Sequence, residues 1–201
     1  TSIISEGIDF WNGAGDRGDS EMYAYGVSRF LLEMSDEKLI YRFWDNLVWC
    51  LDFTLSRKTM DGIIASDSDE LENRFESGNA NLFTSCIAYD ALGNAAILAD
   101  LVGENAHKSL WLKERAELKD NIEKYFGRNV EGFDTYRYYD GNVYLRSWIC
   151  MPLTVEIFDR ADETVKALFS PKLYYDGMMR STSDHNTTWD RSLLFALRGT
   201  F

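Results

Sequence analysis

Hydrophobic residues recur every three or four positions over two adjacent stretches near the start of the chain. The first stretch runs from Ser20 to Met34, and its apolar positions fall on one stripe of a helix. A second stripe follows Asp36 and reaches Leu55. A polar break between two such stripes is typical of helices that fold back on each other, so these residues predict a helical hairpin.

A second predicted helix pair has different surfaces on its two members. The first helix begins at Asn79 or Ala80, and Gly103 stands where its C-cap belongs. It contains small residues that let a neighbouring backbone approach closely: Ala88, Ala91, Gly93, Ala95, Ala96 and Ala99. The second helix runs from about Lys108 to Phe126. Its apolar face consists of Trp111, Leu118, Ile122 and Tyr125, and the rest is charged. These patterns predict an inner helix and an outer, solvated one.

The rest of the chain contains a third set of shorter helices. Pro152 opens one helix, Asp162 caps another that runs to Phe169, and a last helix extends from Thr188 to Phe201. Only two prolines occur in the whole chain. Because proline disrupts helix interiors, their scarcity and the helical periodicity together favour an all-α fold of about seven helices.

The connections between helices contain a weak repeat. An acidic residue followed by glycine and an apolar residue occurs at Asp61-Gly62-Ile63, Glu131-Gly132-Phe133 and Asp176-Gly177-Met178, each time after a helical stretch. Repeated helix pairs must stack to bury their faces, either in an open solenoid or in a closed ring. In a ring the equivalent loops converge into a functional mouth. The pair Asp140-Gly141, with tyrosines on both sides, predicts a short β-hairpin inside one loop.

Composition excludes some partners. The chain has 201 residues, of which 45% are hydrophobic, which is enough to bury a sizeable core or part of a larger one. The formal net charge of -12 argues against nucleic acid or an anionic membrane surface, since both need clustered Lys and Arg. A neutral or cationic ligand fits this charge better.

The sequence shows no targeting or membrane segment. No apolar run reaches the roughly 18 residues that a membrane span needs. The first residues, TSIISEGIDFWNGAGD, lack the basic start and apolar core of a signal peptide. We therefore expect no membrane partner, and the cellular compartment stays undetermined.

Metal and cofactor chemistry have no motif here. Cys50, Cys86 and Cys150 are odd in number and widely spaced, so buried thiols are expected rather than a disulfide framework or a zinc site. His107 and His185 do not have the spacing of a shared metal site. Dinucleotide and phosphate-loop fingerprints are lacking, and we expect neither a cofactor nor a metal.

Carboxylates, arginines and aromatic residues collect in the predicted loops. The carboxylates are Asp16, Asp19, Glu21, Asp67, Asp69, Glu70, Glu72, Asp134, Asp184 and Asp190. Near them stand Arg17, Arg74, Arg137, Arg146, Arg191, Trp11, Tyr136, Trp148 and Trp189. A sugar site uses acids at the glycosidic oxygen, hydrogen bonds to hydroxyls and flat apolar surfaces for the rings. Solvated loop residues and helix caps are the alternative for each acid.

Three segments resemble one known family. FESGNANLFTSCIAYDALGNAAILADLVG is similar to the inner helix of six-hairpin glycosidases of the glycogen-debranching (amylo-α-1,6-glucosidase) type. WNGAGDRGDSEMYAYGVSRFLLEM resembles their first-hairpin motif, and HNTTWDRSLLFALRG resembles their His-Asn-Gly-Thr-x-Trp segment. The three segments stand in the family's order. The resemblance implies an (α/α)6 toroid that hydrolyses α-glycosidic bonds with inversion.

The resemblance also implies roles for residues. Asp67 occupies the place of the general acid, with Asp69 as second choice, although Ala65-Ser66 stands where the family often has Trp-Met. Arg17 and Asp19 would bind sugar hydroxyls. His185, Asn186 and Trp189 would line the opposite wall. The predicted substrate-binding set is completed by Glu21, Glu70, Arg74 and Asp190.

The family's base is a glutamate beyond the Trp segment, in a region that this chain does not reach. The chain is therefore expected to form a single domain over residues 1–201 that is part of a larger (α/α)6 domain, with carbohydrate and the rest of the polypeptide as partners. Two other interpretations stay open. One is a helical-repeat module that binds a glycan or a protein without cutting it, and the other is an inactive glycosidase-like scaffold. Sugar and linkage are not determined by the sequence.

Overall fold

The computed structural model describes residues 15–69 and 74–201, and these residues are mostly helical. The chain divides into two compact units, unit 1 ending at Asn121 and unit 2 running from Ile122 to Phe201. The prediction of a mainly helical protein is thus confirmed. The predicted single domain over residues 1–201 stays a prediction.

The first predicted hairpin is present in unit 1. Helix α1 spans Asp19–Met34 and helix α2 spans Glu37–Ser56. Between them Ser35 adopts a left-handed conformation, with φ 50°, and its N–H donates to the carbonyl of Leu31 at 3.1 Å. The side chain of Asp36 then accepts a hydrogen bond from the Lys38 N–H at 2.9 Å. A left-handed residue followed by an N-cap reverses the chain in two residues.

Helix α3 spans Leu82–Leu101 and is buried along most of its length, as the inner helix was expected to be. Its start differs from the prediction, because the N-cap position is Asn81 rather than Asn79 or Ala80. The Asn81 amide is used by the loop that precedes the helix: Oδ1 accepts from Gly78 N–H at 2.9 Å and Nδ2 donates to Ser66 Oγ at 3.1 Å. These bonds hold the chain extended up to residue 81.

By length and composition alone, α3 could cross a membrane. Its mean hydropathy reaches 1.4 over an 18-residue window, although Asp90 and Asp100 interrupt the continuous apolar run that the sequence criterion required. In the structure 78% of that window is buried within the protein. A buried helix in a folded core passes the same test.

Helix α4 spans Asn105–Phe126 and begins three residues before the predicted start. Gly103, with φ 79°, follows α3 and allows the left-handed turn between the two helices. Trp111 and Leu118 are buried as predicted. Tyr125 is only half-buried, whereas Phe126 is fully buried, because Phe126 stands four residues after Ile122 on the same helix face.

Unit 2 contains shorter elements. A 3-10 turn at Ser147–Cys150 leads into helix α5, Met151–Thr154, which Pro152 opens as predicted. Helix α6 spans Ala161–Leu168 and helix α7 spans Asp190–Thr200. The predicted cap at Asp162 is wrong. Arg160 occupies the cap position, and Asp162 lies in the first turn, where its charge interacts favourably with the helix dipole.

Two short antiparallel hairpins also lie in unit 2. Strands β1 (Gly127–Val130) and β2 (Phe133–Tyr136) pair around Glu131-Gly132. Strands β3 (Tyr174–Tyr175) and β4 (Met178–Met179) pair around Asp176-Gly177. All four turn residues have positive φ, between 51° and 98°. That backbone is the one a two-residue hairpin loop requires.

The hairpin predicted at Asp140-Gly141 is therefore in the wrong place. Gly141 has φ 91°, but Asp140 is not in the left-handed region, and no strands flank this pair among the described residues. The Asn142 side chain accepts from the Tyr138 N–H at 2.9 Å, which closes the turn locally instead of through strand pairing.

The first acid-Gly pair also lies at a tight turn, in unit 1. Gly62 has φ 73°, its N–H donates to Thr59 at 3.0 Å, and Lys58 pairs with Ile64 across the turn. Each acid-Gly pair thus follows a helix (α2, α4 or α6) and reverses the chain before the next helix. In all three places the glycine has positive φ, although Asp61, unlike Glu131 and Asp176, is not in the left-handed region. The three cysteines are buried and free, as predicted.

Candidate functional site

Two loops of unit 1 that are 51 residues apart in sequence are joined at Asp16 and Asp67. The carbonyl of Asp16 accepts hydrogen bonds from the main-chain N–H of Asp67 at 2.7 Å and of Ser68 at 3.1 Å. In return the Asp16 N–H donates to Asp67 Oδ2 at 2.8 Å. The first loop is thereby fixed against the acidic segment that contains both predicted catalytic residues.

Arg57 connects the same two residues through its side chain. It lies just after α2, with its N–H bonded to the carbonyls of Phe53 and Thr54 at 3.2 and 3.1 Å. Its Nη2 donates to Asp67 Oδ1 at 3.3 Å, and its Nε lies 3.5 Å from Asp16 Oδ2. Sequence reasoning missed Arg57. The available signal was an arginine directly after the apolar stripe that ends at Leu55, at the start of a candidate loop.

Glycines on both sides of Asp16 make this arrangement possible. Gly15 has φ 62°, and a Cβ there would lie 2.7 Å from Asp67 Oδ2. Gly18 has φ 84° and its N–H donates to Asp16 Oδ1 at 3.0 Å. A side chain at position 15 would collide with the carboxylate, so the close approach of the two loops requires glycine there.

Asp67 and Asp69 differ in exposure. The Asp67 side chain is 52% exposed, whereas Asp69 is 0% exposed. Both oxygens of Asp67 accept hydrogen bonds, from Asp16 N–H and from Arg57. Of the two predicted catalytic residues, only Asp67 is accessible.

Glu21 lies in the first turn of α1 and is only 1% exposed. Its Oε2 has no hydrogen-bond partner among the residues that the structure describes. Burial raises the pKa of Glu21 to about 7, with the Thr54 hydroxyl acting in the opposite direction. Burial also raises the pKa of Asp16. Glu21 is thus a buried acid that loses its proton only near neutral pH.

The other predicted residues of unit 1 lie near the start of α1, in the segment that precedes α3, or outside the described residues. Arg17 Nη2 donates to Asp19 Oδ1 at 3.0 Å, and both side chains are 20% exposed. Arg74 is exposed. Glu70 lies outside the described residues, and so do Trp11 and Glu72 of the wider candidate set.

The remaining predicted residues lie in unit 2, in the segment before α7. His185 Nε2 is 3.4 Å from Asp184 Oδ2, and His185, Asn186 and Asp190 are exposed. Trp189 is half-buried at the N-cap position of α7, and its N–H donates to the Met179 carbonyl at 3.2 Å. This segment is thereby attached to β4, and its polar side chains face solvent.

Unit 2 also has a cavity of about 250 Å³ at the start of α6. Its lining includes Asp134 of the wider candidate set, together with Phe158, Arg160 and Glu163, but no residue that was assigned a catalytic or substrate-binding role. Arg160 spans the cavity wall by pairing with Asp134 and, at 2.7 Å, with Glu123. Within the described part of the chain, no group of three His, Cys, Asp or Glu residues is arranged to hold a metal ion.

Comparison with protein-family models returned no match, and comparison with curated proteins returned none either.

Proposed function

We propose that this chain is part of a six-hairpin glycoside hydrolase that cleaves α-linked oligo- or polysaccharides with inversion, and that Asp67 is its general acid. The observation that carries the proposal is the accessible Asp67 carboxyl, fixed by Asp16 and Arg57. The pair Arg17–Asp19 begins one residue after Asp16. Carboxylates and arginines in such an arrangement suit the many hydroxyls of a sugar.

The proposed reaction needs two carboxyl groups with different tasks. Asp67 gives its proton to the glycosidic oxygen as the bond to the anomeric carbon breaks, and a base removes a proton from the attacking water. In this proposal the base comes from elsewhere in the parent polypeptide, which together with carbohydrate is the expected partner.

The arrangement of helices supports the proposed (α/α)6 ring. Each of α2, α4 and α6 is followed by an acid-Gly turn that leads towards the next helix. Within unit 1, α3 is buried and α4 is exposed on most of its surface, as inner and outer helices of such a ring are. Repeated pairs of this kind bury their faces by stacking on the next pair.

The test is hydrolysis of a panel of α-linked oligosaccharides by the parent polypeptide and its variants. Asp67→Asn removes the transferable proton while keeping the shape, so we expect kcat to fall about 10²- to 10⁴-fold with little change in KM. Asp45→Asn, at an exposed position of α2, is the matched control and should keep full activity. Unchanged hydrolysis by Asp67→Asn would refute the assignment.

A second candidate is glycan binding without cleavage. Both Asp67 oxygens already accept hydrogen bonds, and Ala65-Ser66 precedes it where the related family often has Trp-Met. Such a carboxylate can accept a hydrogen bond from a sugar hydroxyl without any proton transfer. Calorimetric titration with the same oligosaccharides separates the two, because saturable binding without release of reducing sugar favours the binding module.

A further inference from the structure

We infer that Arg57 and the first loop at Gly15-Asp16 position the Asp67 carboxylate, so that its orientation is set before any ligand arrives. The catalytic meaning of this inference rests on the proposed function, but the positioning itself does not.

Several hydrogen bonds constrain the Asp67 side chain and its main chain at once. An exposed aspartate ordinarily rotates among several rotamers. Asp67 instead has one oxygen on the Asp16 N–H at 2.8 Å and the other on Arg57 Nη2 at 3.3 Å. Its own N–H is bound to the Asp16 carbonyl at 2.7 Å. Main chain and carboxylate are therefore held by the same neighbour, which leaves little freedom for rotation.

The two residues that hold Asp67 are less exposed than Asp67 itself. The Asp67 side chain is 52% exposed, that of Arg57 33% and that of Asp16 6%. The supporting groups are thus progressively more buried than the group they hold. Arg57 also follows directly on a 20-residue helix, which gives its side chain a rigid base. A functional carboxylate held on rigid elements by a buried supporting layer keeps its geometry.

Gly15 packs so closely against Asp67 that there is no room for a side chain at position 15. Its hydrogen faces Asp67, since a Cβ would lie 2.7 Å from Oδ2 and 2.8 Å from the Asp67 Cβ. This loop approaches the carboxylate more closely than any side chain at that position would allow.

The main test uses the Asp16 amide as a reporter of the Asp67 orientation, because this N–H donates to Asp67 Oδ2. Hydrogen exchange followed by NMR is measured in the chain, in Arg57→Gln and in Arg57→Lys. We expect exchange at Asp16 to become about tenfold faster in Arg57→Gln. Lysine keeps the charge but not the forked geometry, so its effect should be intermediate. Unchanged exchange at Asp16 in Arg57→Gln would overturn the inference.

Arg29→Gln is the matched control for loss of an arginine in the same unit. Arg29 pairs with Asp90 at 2.6 Å, away from the two loops in sequence. It should leave the Asp16 amide unchanged. If Arg29→Gln accelerates hydrogen exchange at the Asp16 amide as much as Arg57→Gln does, the effect is general destabilisation and the inference fails.

A glycine pair separates backbone strain from the loss of space. Gly15→Ala places a methyl group against Asp67, whereas Gly103→Ala puts alanine at a similar positive φ with no atom within 4 Å. We expect Gly15→Ala alone to accelerate exchange at Asp16. Equal behaviour of the two variants would overturn the role of the close approach.

Activity measurements distinguish this inference from the proposed function. If Asp67 is the acid, Arg57→Gln should lower kcat more than it raises KM, and Arg57→Lys should recover part of kcat. Faster exchange with no hydrolysis by the parent polypeptide would support the positioning and refute the glycosidase. If hydrolysis depends on Asp67 while hydrogen exchange at Asp16 is unchanged in Arg57→Gln, the glycosidase is supported and the positioning is refuted.

Discussion

At the residue scale, the least ordinary group in the described chain is the carboxyl of Glu21. It stands among polar and sulfur-containing neighbours, with Thr54 and Asp16 among the groups that influence its ionisation. Burial also raises the pKa of the nearby Cys50 thiol to about 11, and the charge of Glu21 acts in the same direction. A carboxyl that must lose solvent on folding favours its neutral form.

The pH dependence of stability should show this buried proton. The pKa of Glu21 rises from 4.5 when unfolded to about 7 when folded, so the folded state binds the proton more tightly. The resulting stabilisation is complete below pH 4.5 and is lost as pH rises through about 7. One pH unit corresponds to about 1.4 kcal/mol, so the loss is on the order of 3 kcal/mol.

The measurement is the difference in unfolding free energy between the chain and Glu21→Gln, from urea titrations at several pH values. Glutamine carries no proton to lose, so the advantage of glutamate should shrink by about 3 kcal/mol between pH 4 and pH 8. A difference that is independent of pH for Glu21→Gln would show that its carboxyl is ionised in the folded chain.

At the element scale, local signals set the ends of helices where a side chain bonds the main chain directly. Asp36 is such a case, because its carboxylate accepts from the Lys38 N–H at 2.9 Å. Asp162 also stands near the start of a helix, but it is the second residue of α6, and Arg160 occupies the cap position. The two aspartates look alike in the sequence and differ in what they contact.

Replacement of these aspartates should therefore have unequal effects. Asp36→Ala removes a cap and should lower the unfolding free energy by about 1 kcal/mol. Asp162→Ala removes only a charge near a helix N-terminus, worth about 0.3–1 kcal/mol at low ionic strength. Denaturant titration in low and high salt separates them, because only the Asp162 effect should fade with salt. An Asp36→Ala variant as stable as the parent chain would contradict the cap.

At the scale of the whole molecule, the burial of α3 is the strongest determinant of the stability of unit 1. Its small and apolar residues meet α1 on one side and α2 on another. The polar Asp90 of α3 is hydrogen-bonded there by Arg29 and Asn94.

Truncation of side chains along α3 should report this burial. Leu92 is 0% exposed and Ile97 is 52% exposed. Leu92→Ala leaves a cavity and should cost about 2–5 kcal/mol of unfolding free energy, whereas Ile97→Ala should cost well under half of that. Thermal and urea unfolding of the two variants provide the comparison. Equal losses would mean that α3 does not bury the face that the structure assigns to it.

The helices and turns followed from local information. The stripes of α1 and α2, the small residues of α3 and the acid-Gly repeat are all read within a few residues of one another. Helical periodicity and positive-φ turns are properties of short segments, so the sequence predicts them well. The hairpin expected at Asp140-Gly141 failed because Asn142 closes that turn with its own side chain.

The sequence by itself determined the helical class, the positions of most helices and the places where the chain reverses, because these depend on spacing between near neighbours. The sequence also made Asp67 its first choice of general acid, and that role stays a prediction. Only the tertiary structure decided that Asp67 is accessible and Asp69 buried, that Arg57 joins Asp67 to Asp16, and that burial raises the pKa of Glu21. These features depend on the contact between two loops that are 51 residues apart and on the exclusion of water from the protein interior. Neither can be predicted from the spacing of near neighbours in the sequence.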